Sequence, residues 1–175
     1  CGCYGKFDKK TIIPSIRYWK AKQRIDKQII VGLHISYRAA TNDTALKSEK
    51  WILEKCLGRQ VSKCRFHYLK FALPYGYDRL EQFGFTDDYS MAYSDMAGYR
   101  AGTSRPFSFY NIEKEEESKL TIHPLIVMDK TLRSNMKLNV DAAYQYIDTL
   151  KKSSNAIGGD FTTLFHNENV ADLNG

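Results

Sequence analysis

Phe161-Thr162-Thr163-Leu164-Phe165 runs directly into His166-Asn167-Glu168. Alternating apolar and β-branched residues over this stretch predict a short, half-buried strand, and the polar triplet sits where that strand ends. Two earlier stretches repeat the pattern. Ile29-Ile30-Val31-Gly32-Leu33 precedes His34-Ile35-Ser36-Tyr37, and Val61-Ser62-Lys63-Cys64-Arg65-Phe66 precedes His67-Tyr68, so three of the four histidines follow a predicted strand. In parallel α/β sheets ligands bind in the crevice beyond the carboxyl ends of the strands, so chemistry is expected at these exits.

The segments between these strands read as helices. Asn42 and Asp43 offer a cap, Leu46, Trp51 with Ile52, and Cys56 recur at helical spacing, and Gly58 stops the run. Pro74 opens a second helix whose Leu80 and Phe83 are expected to face inward before Gly84. Ile16 to Lys27 reads as an exposed helix ahead of the first strand. Thr86 to Phe109, irregular and rich in Tyr, Ser, Gly and Arg, reads as a long functional loop. Leu120 to Met128 reads as a strand containing His123-Pro124, Val140 to Lys152 as an amphipathic helix, and Gly158-Gly159 as the turn into a final strand from Asp160 to Phe165. The alternation predicts an α/β protein of parallel βα units with right-handed connections. Neither GxGxxG after a strand nor GxxxxGK[ST] is present, which removes the common nucleotide-binding loops.

A chain of 175 residues with 43% hydrophobic content is enough for one domain with a real core. Its net charge of +6 comes from Lys and Arg interleaved with acids, and Lys114-Glu115-Glu116-Glu117 interrupts any basic stripe. That balance reads as solvated surface, and nucleic acid is not an expected partner. Cys1, Cys3, Cys56 and Cys64 form no CxxC pair, and no apolar run reaches the roughly 20 residues that span a bilayer. No membrane span and a reducing, cytoplasmic setting are the expectation. A start at Cys1 without a Ser-rich tether reads as an excised part of a longer protein rather than a mature lipoprotein.

The ordered set Gly32-Leu33-His34-Ile35-Ser36-Tyr37, Glu49-Lys50, Arg65-Phe66-His67-Tyr68-Leu69, Asp88-Tyr89-Ser90, Gly98-Tyr99-Arg100-Ala101-Gly102-Thr103, Ile122-His123-Pro124, Met128-Asp129 and His166-Asn167-Glu168 resembles the polysaccharide deacetylase-like proteins of bacterial surface-polysaccharide clusters. These belong to the wider NodB-homology, carbohydrate esterase 4 type. The resemblance implies a distorted or incomplete β/α barrel, with residues 1–175 forming a single deacetylase-like domain that matches the later part of such a protein. It implies removal of an N-acetyl group from a cell-surface polysaccharide or its precursor by a metal-bound water. There a divalent ion, possibly zinc, lowers the water's pKa, a carboxylate takes the proton and a histidine protonates the leaving amine.

By the same resemblance His34 is an expected metal ligand, with His67 a second one, Arg65 orients a carboxylate, and His166 is the acid. Asp88, with Asp87 beside it, is the base candidate within these residues. Arg100, Arg105, Tyr68, Asn167 and Glu168 are the expected carbohydrate contacts, although Arg100 and Arg105 would equally tie a Gly-rich loop to its scaffold. His123, ahead of Pro124, reads as structural. Two positions depart from the family pattern: the second metal histidine, four residues after the first, is replaced by Arg38, and the early Thr-Phe-Asp-Asp type motif is absent. If these residues are a fragment, the base motif lies upstream of Cys1; if they are the whole protein, the usual mechanism lacks its base, and in either case these residues alone are not expected to form a competent deacetylase. A noncatalytic carbohydrate-binding or scaffolding relative is the alternative.

Overall fold

The computed structural model describes Phe7, Asp8 and residues 29–166. The helix expected at Ile16 to Lys27, and Asn167 and Glu168, lie outside these described residues. The chain is a mixed α/β protein of two compact units, Cys1–Asp88 with Ser108–Thr121, and Tyr89–Phe107 with Ile122–Gly175.

In the first unit the element order is β1 (Leu33–Ile35), α1 (Asp43–Leu57), β2 (Lys63–Phe66), α2 (Tyr75–Gln82), β3 (Asp87–Asp88), β4 (Phe107–Asn111) and β5 (Glu116–Ile122). The strands form one sheet in the order β1-β2-β3-β5-β4, with β1, β2 and β3 mutually parallel. The pairings among the described residues do not close a barrel.

β1 begins later than the apolar run suggests, because Ile29 and Ile30 are exposed and pairing starts at Leu33 opposite Cys64. Gly32 is needed just before it: a Cβ there would stand 2.9 Å from the Lys63 carbonyl oxygen. Strand alternation then sorts the side chains. Leu33, Ile35, Cys64 and Phe66 are buried, whereas His34 and Arg65, directly opposite each other in register, occupy the other face. Full burial of each large apolar side chain contributes about 1.5–3 kcal/mol.

Helix α1 starts where expected, with the Asn42 side chain accepting from the Ala45 N–H at 2.8 Å. It ends at Gly58, whose φ of 67° is the left-handed conformation that favours glycine. Its buried face differs from the expected one: Trp51 is 58% exposed, while Glu49 is buried with Leu46, Leu53 and Cys56. Glu49 is held inside by the turn after β1, whose Ser36 donates its backbone N–H and its hydroxyl to the two carboxylate oxygens at 3.1 and 2.5 Å. Phe83, expected to point inward, is only part-buried at the end of α2, and the buried ring is Phe85.

The stretch expected to be one long loop contains the short strand β3 and the start of a hairpin. Only residues 112–115 join β4 to β5, too few for a parallel crossover, so the two form a hairpin. Asn111 shapes its turn by accepting the N–H groups of Glu113 and Lys114. The acidic run at Glu115 to Glu117 is thus a turn and a strand start.

The second unit holds β6 (Val127–Met128), α3 (Val140–Ala156) and β7 (Thr163–Leu164), with β6 and β7 parallel. The strand expected from Leu120 to Met128 is split, because Pro124 has no N–H to continue a ladder and residues 123–126 leave the sheet. Ala143, Tyr146, Ile147 and Leu150 repeat at helical spacing along α3 and pack on Ile126, Val127 and Leu132. Ser104 is buried, and its hydroxyl has no partner among the described residues. Gly159 passes so close that a Cβ there would lie 1.7 Å from Ser104 Oγ and 2.7 Å from its Cβ. Among the described residues no helix is long and apolar enough to cross a membrane.

Candidate functional site

The residues singled out by the sequence fall into two groups, one in each unit. In the first unit, strand alternation and register bring Arg65 to His34, and the end of β2 brings His67 to the same place. An Arg65 guanidinium nitrogen lies 3.2 Å from His34 Nδ1, His34 Nε2 lies 2.8 Å from His67 Nδ1, and His67 Nε2 lies 2.9 Å from the Phe7 carbonyl oxygen.

The proton positions follow from the ends of this series. Guanidinium is a donor only, so His34 Nδ1 accepts and His34 is a neutral ring with its proton on Nε2. That proton is donated to His67 Nδ1, so His67 carries its own proton on Nε2 and donates it to the Phe7 carbonyl. Every ring nitrogen of the pair is engaged, and the donors all run in one direction, from Arg65 outward.

The surroundings are aromatic. Tyr68 and Leu69 follow His67 with φ of 56° and 50°, a conformation that costs non-glycine residues about 1–2 kcal/mol each. This bend leaves Tyr68 55% exposed, edge-on to both His67 and Tyr37. Phe7 packs on Tyr37 and Tyr68, and Lys70 Nζ sits 3.7 Å from the centre of the Tyr37 ring. Asp8 accepts the Tyr37 N–H at 2.8 Å and the Arg38 N–H at 3.4 Å.

This arrangement does not by itself fit a divalent ion. A catalytic zinc ordinarily has three protein ligands, and among the described residues no group of three or more His, Cys, Asp or Glu side chains converges. A ligating imidazole also donates its outer N–H to an acceptor, whereas the outer nitrogen of His34 accepts from a cation.

Asp88, the base candidate, is fully buried in β3 opposite Cys64. Asp87 pairs with Lys63 at 2.9 Å. Burial first, then the Asp88 carboxylate, push the Cys64 thiol well above its ordinary range; Lys50 acts in the opposite sense and Asp87 adds to the rise. Where a long loop was expected, Asp87 and Asp88 thus form a short strand with one side chain inside.

In the second unit His166 follows β7 and meets Asp129, the residue after β6. Parallel pairing of β6 with β7 places the two exits side by side. Asp129 is buried and accepts N–H groups from His166 Nδ1 and the Lys130 backbone on Oδ1 and from the His166 backbone on Oδ2, each at 2.7 Å. A carboxylate only accepts, so His166 Nδ1 carries a proton and donates it to Asp129. Nε2 has no hydrogen-bond partner among the described residues, on a side chain 33% exposed, and is a lone pair when the ring is neutral.

Arg100 is exposed in the turn closed by the Gly102 N–H to the Tyr99 carbonyl. Arg105 donates to the Ile157 carbonyl at the end of α3, tying its loop down. His123 stacks on Tyr89 with ring centroids 4.3 Å apart.

The sequence reading gave Asp129 no role, although it follows the apolar residues 125–128 just as His166 follows its strand. The signal was there: strand exits deliver carboxylates as well as imidazoles. Phe7 and Asp8 carried no signal, since nothing local marks a residue that docks at a distant strand end.

Comparison with protein-family models, with curated proteins and with solved structures finds no match.

Proposed function

We propose that the chain is a carbohydrate-active hydrolase of the polysaccharide deacetylase type, built on part of a β/α barrel and cleaving the N-acetyl amide of a cell-surface polysaccharide or its precursor. The resemblance of its ordered motifs supplies the substrate class. The observation that carries the chemistry is the Asp129–His166 dyad. A buried carboxylate orients the imidazole through Nδ1, leaving Nε2 to exchange a proton with a reacting group.

Amide hydrolysis needs a water activated as it attacks the carbonyl carbon and a proton delivered to the departing amine, and one imidazole serves both needs in turn. Neutral His166 takes the water proton on Nε2, Asp129 holds the imidazolium so formed, and that proton passes to the amine nitrogen as the C–N bond breaks. A divalent ion, which the resemblance implies, would require ligands in addition to His34 and His67. Acetate release from an N-acetylated oligosaccharide by the full-length protein tests the reading. His166→Ala and Asp129→Asn should each remove it while thermal unfolding stays within a few degrees of wild type. Acetate release unaffected by either substitution, or none from N-acetylated sugars of any linkage, ends the proposal.

The non-hydrolytic carbohydrate binder is favoured by a different feature, the exposed Tyr68 ring grouped with Phe7 and Tyr37. It predicts saccharide retention without acetate release.

A further inference from the structure

Trp51 repeats with the apolar residues of α1 yet stands outward, 58% exposed, while Glu49 on the same helix is inside. The acids of α1 are all engaged elsewhere. Asp43 pairs with Arg79 at 2.6 Å, Glu49 is held by Ser36, and Glu54 accepts the Val61 N–H and pairs with Lys50, which itself donates to the Phe83 carbonyl. What the helix turns to water is Lys47, Trp51 and Lys55, four residues apart and therefore stacked turn above turn on one face. Lys55 Nζ lies 5.9 Å from the centre of the Trp51 ring. Just past the helix, Arg59 donates to the Ile29 carbonyl at 2.7 Å, which holds the exposed Ile29 and Ile30 beside the end of α1.

We propose that this outward face of α1, with Ile29 and Ile30 at its end, is a docking surface for the headgroup region of an anionic lipid bilayer. An indole between two ammonium groups suits that boundary, where Trp rings settle at headgroup level and lysine stems lie along apolar surface while their charges reach lipid phosphates. Lys47 and Lys55 are about 12 Å apart along the helix axis, so both can engage one flat anionic surface. Charge alone would also suit nucleic acid. The two isoleucines decide for the bilayer, because a nucleic acid takes up cations and stacked rings but gains little from exposed aliphatic side chains, whereas a lipid interface buries them. The inference is independent of the hydrolase reading, since none of these residues belongs to either histidine group.

The test is sedimentation of the full-length protein with phosphatidylcholine vesicles, with and without phosphatidylglycerol. Binding to the anionic vesicles should be at least about tenfold tighter than to the neutral ones and should fade as salt rises. Replacing Lys47→Gln and Lys55→Gln together should weaken it about tenfold or more, Trp51→Ala several-fold and Trp51→Phe less. All three side chains are exposed, so thermal unfolding of each variant should stay within a few degrees of wild type. Brominated lipid in the anionic vesicles should quench part of the tryptophan emission of wild type, and that part should be missing from Trp51→Phe. No sedimentation, equal binding to neutral vesicles, binding unchanged by the double lysine substitution, or quenching that persists in Trp51→Phe overturns the inference. So does tighter binding to duplex DNA than to the anionic vesicles.

Discussion

Both histidine groups are built on a parallel strand pair, β1 with β2 and β6 with β7, yet they face solvent with opposite chemical character. In the first, a cation contacts Nδ1 of His34, and the group ends in an N–H held by the Phe7 carbonyl. In the second, a carboxylate contacts Nδ1 of His166, and Nε2 has no hydrogen-bond partner among the described residues. For a neutral imidazole, the sign of the charge behind it decides whether its far edge gives or takes a hydrogen bond. One scaffold device, a histidine at the exit of a parallel strand pair, thus meets a cation in one unit and a carboxylate in the other.

The sharpest way to break this contrast is at the dyad. His166→Ala should lower the rate of acetate release by about 10²–10⁴, the usual worth of a positioned acid–base group, and Asp129→Asn should approach the same loss by freeing the ring. Equal losses from Arg65→Met would show that the two groups are not divided in this way.

The units also differ in how deeply their helices are seated. Leu46→Ala in α1 removes a fully buried side chain and should cost about 2–5 kcal/mol in urea unfolding, against about 1 kcal/mol for Leu150→Ala on the part-buried face of α3. Similar values at both positions would mean that α3 is packed as tightly as α1. Between these, Glu49→Ala should cost about 1–3 kcal/mol, because it strands the Ser36 N–H and hydroxyl in a buried place.

The smallest effect concerns Cys64. Its folded pKa is raised, so the native state holds its proton longer than the unfolded chain does. The associated stability is complete below the unfolded thiol's pKa of about 8.5 and is lost as pH climbs toward the folded value. Urea midpoints should therefore fall more steeply above pH 9 for wild type than for Cys64→Ala, and parallel slopes would count against the assignment.

Regular local signals were legible in the sequence. The Asn42 cap, the Gly58 stop, the α3 stripe and the position of His67 at a strand end all follow from patterns that a few neighbouring residues impose. Signals that depend on a distant partner were not. The inward turn of Glu49 needs Ser36, the later start of β1 needs Cys64 opposite Leu33, and the burial of Asp88 needs the strand beside it. The candidate site was legible as a roster of residue types at strand ends, but proton placement on His34 and His166 is set by Arg65 and Asp129, which only the pairing of remote strands reveals.

The contact between Ser104 and Gly159 restricts how this region can drift over generations. A methyl group at position 159 would collide with both side-chain atoms of Ser104; Ser104→Ala removes the contact at 1.7 Å but leaves the one at 2.7 Å, and only Ser104→Gly clears both. Substitution must therefore proceed in one order, with the hydroxymethyl group lost before any side chain is gained across from it.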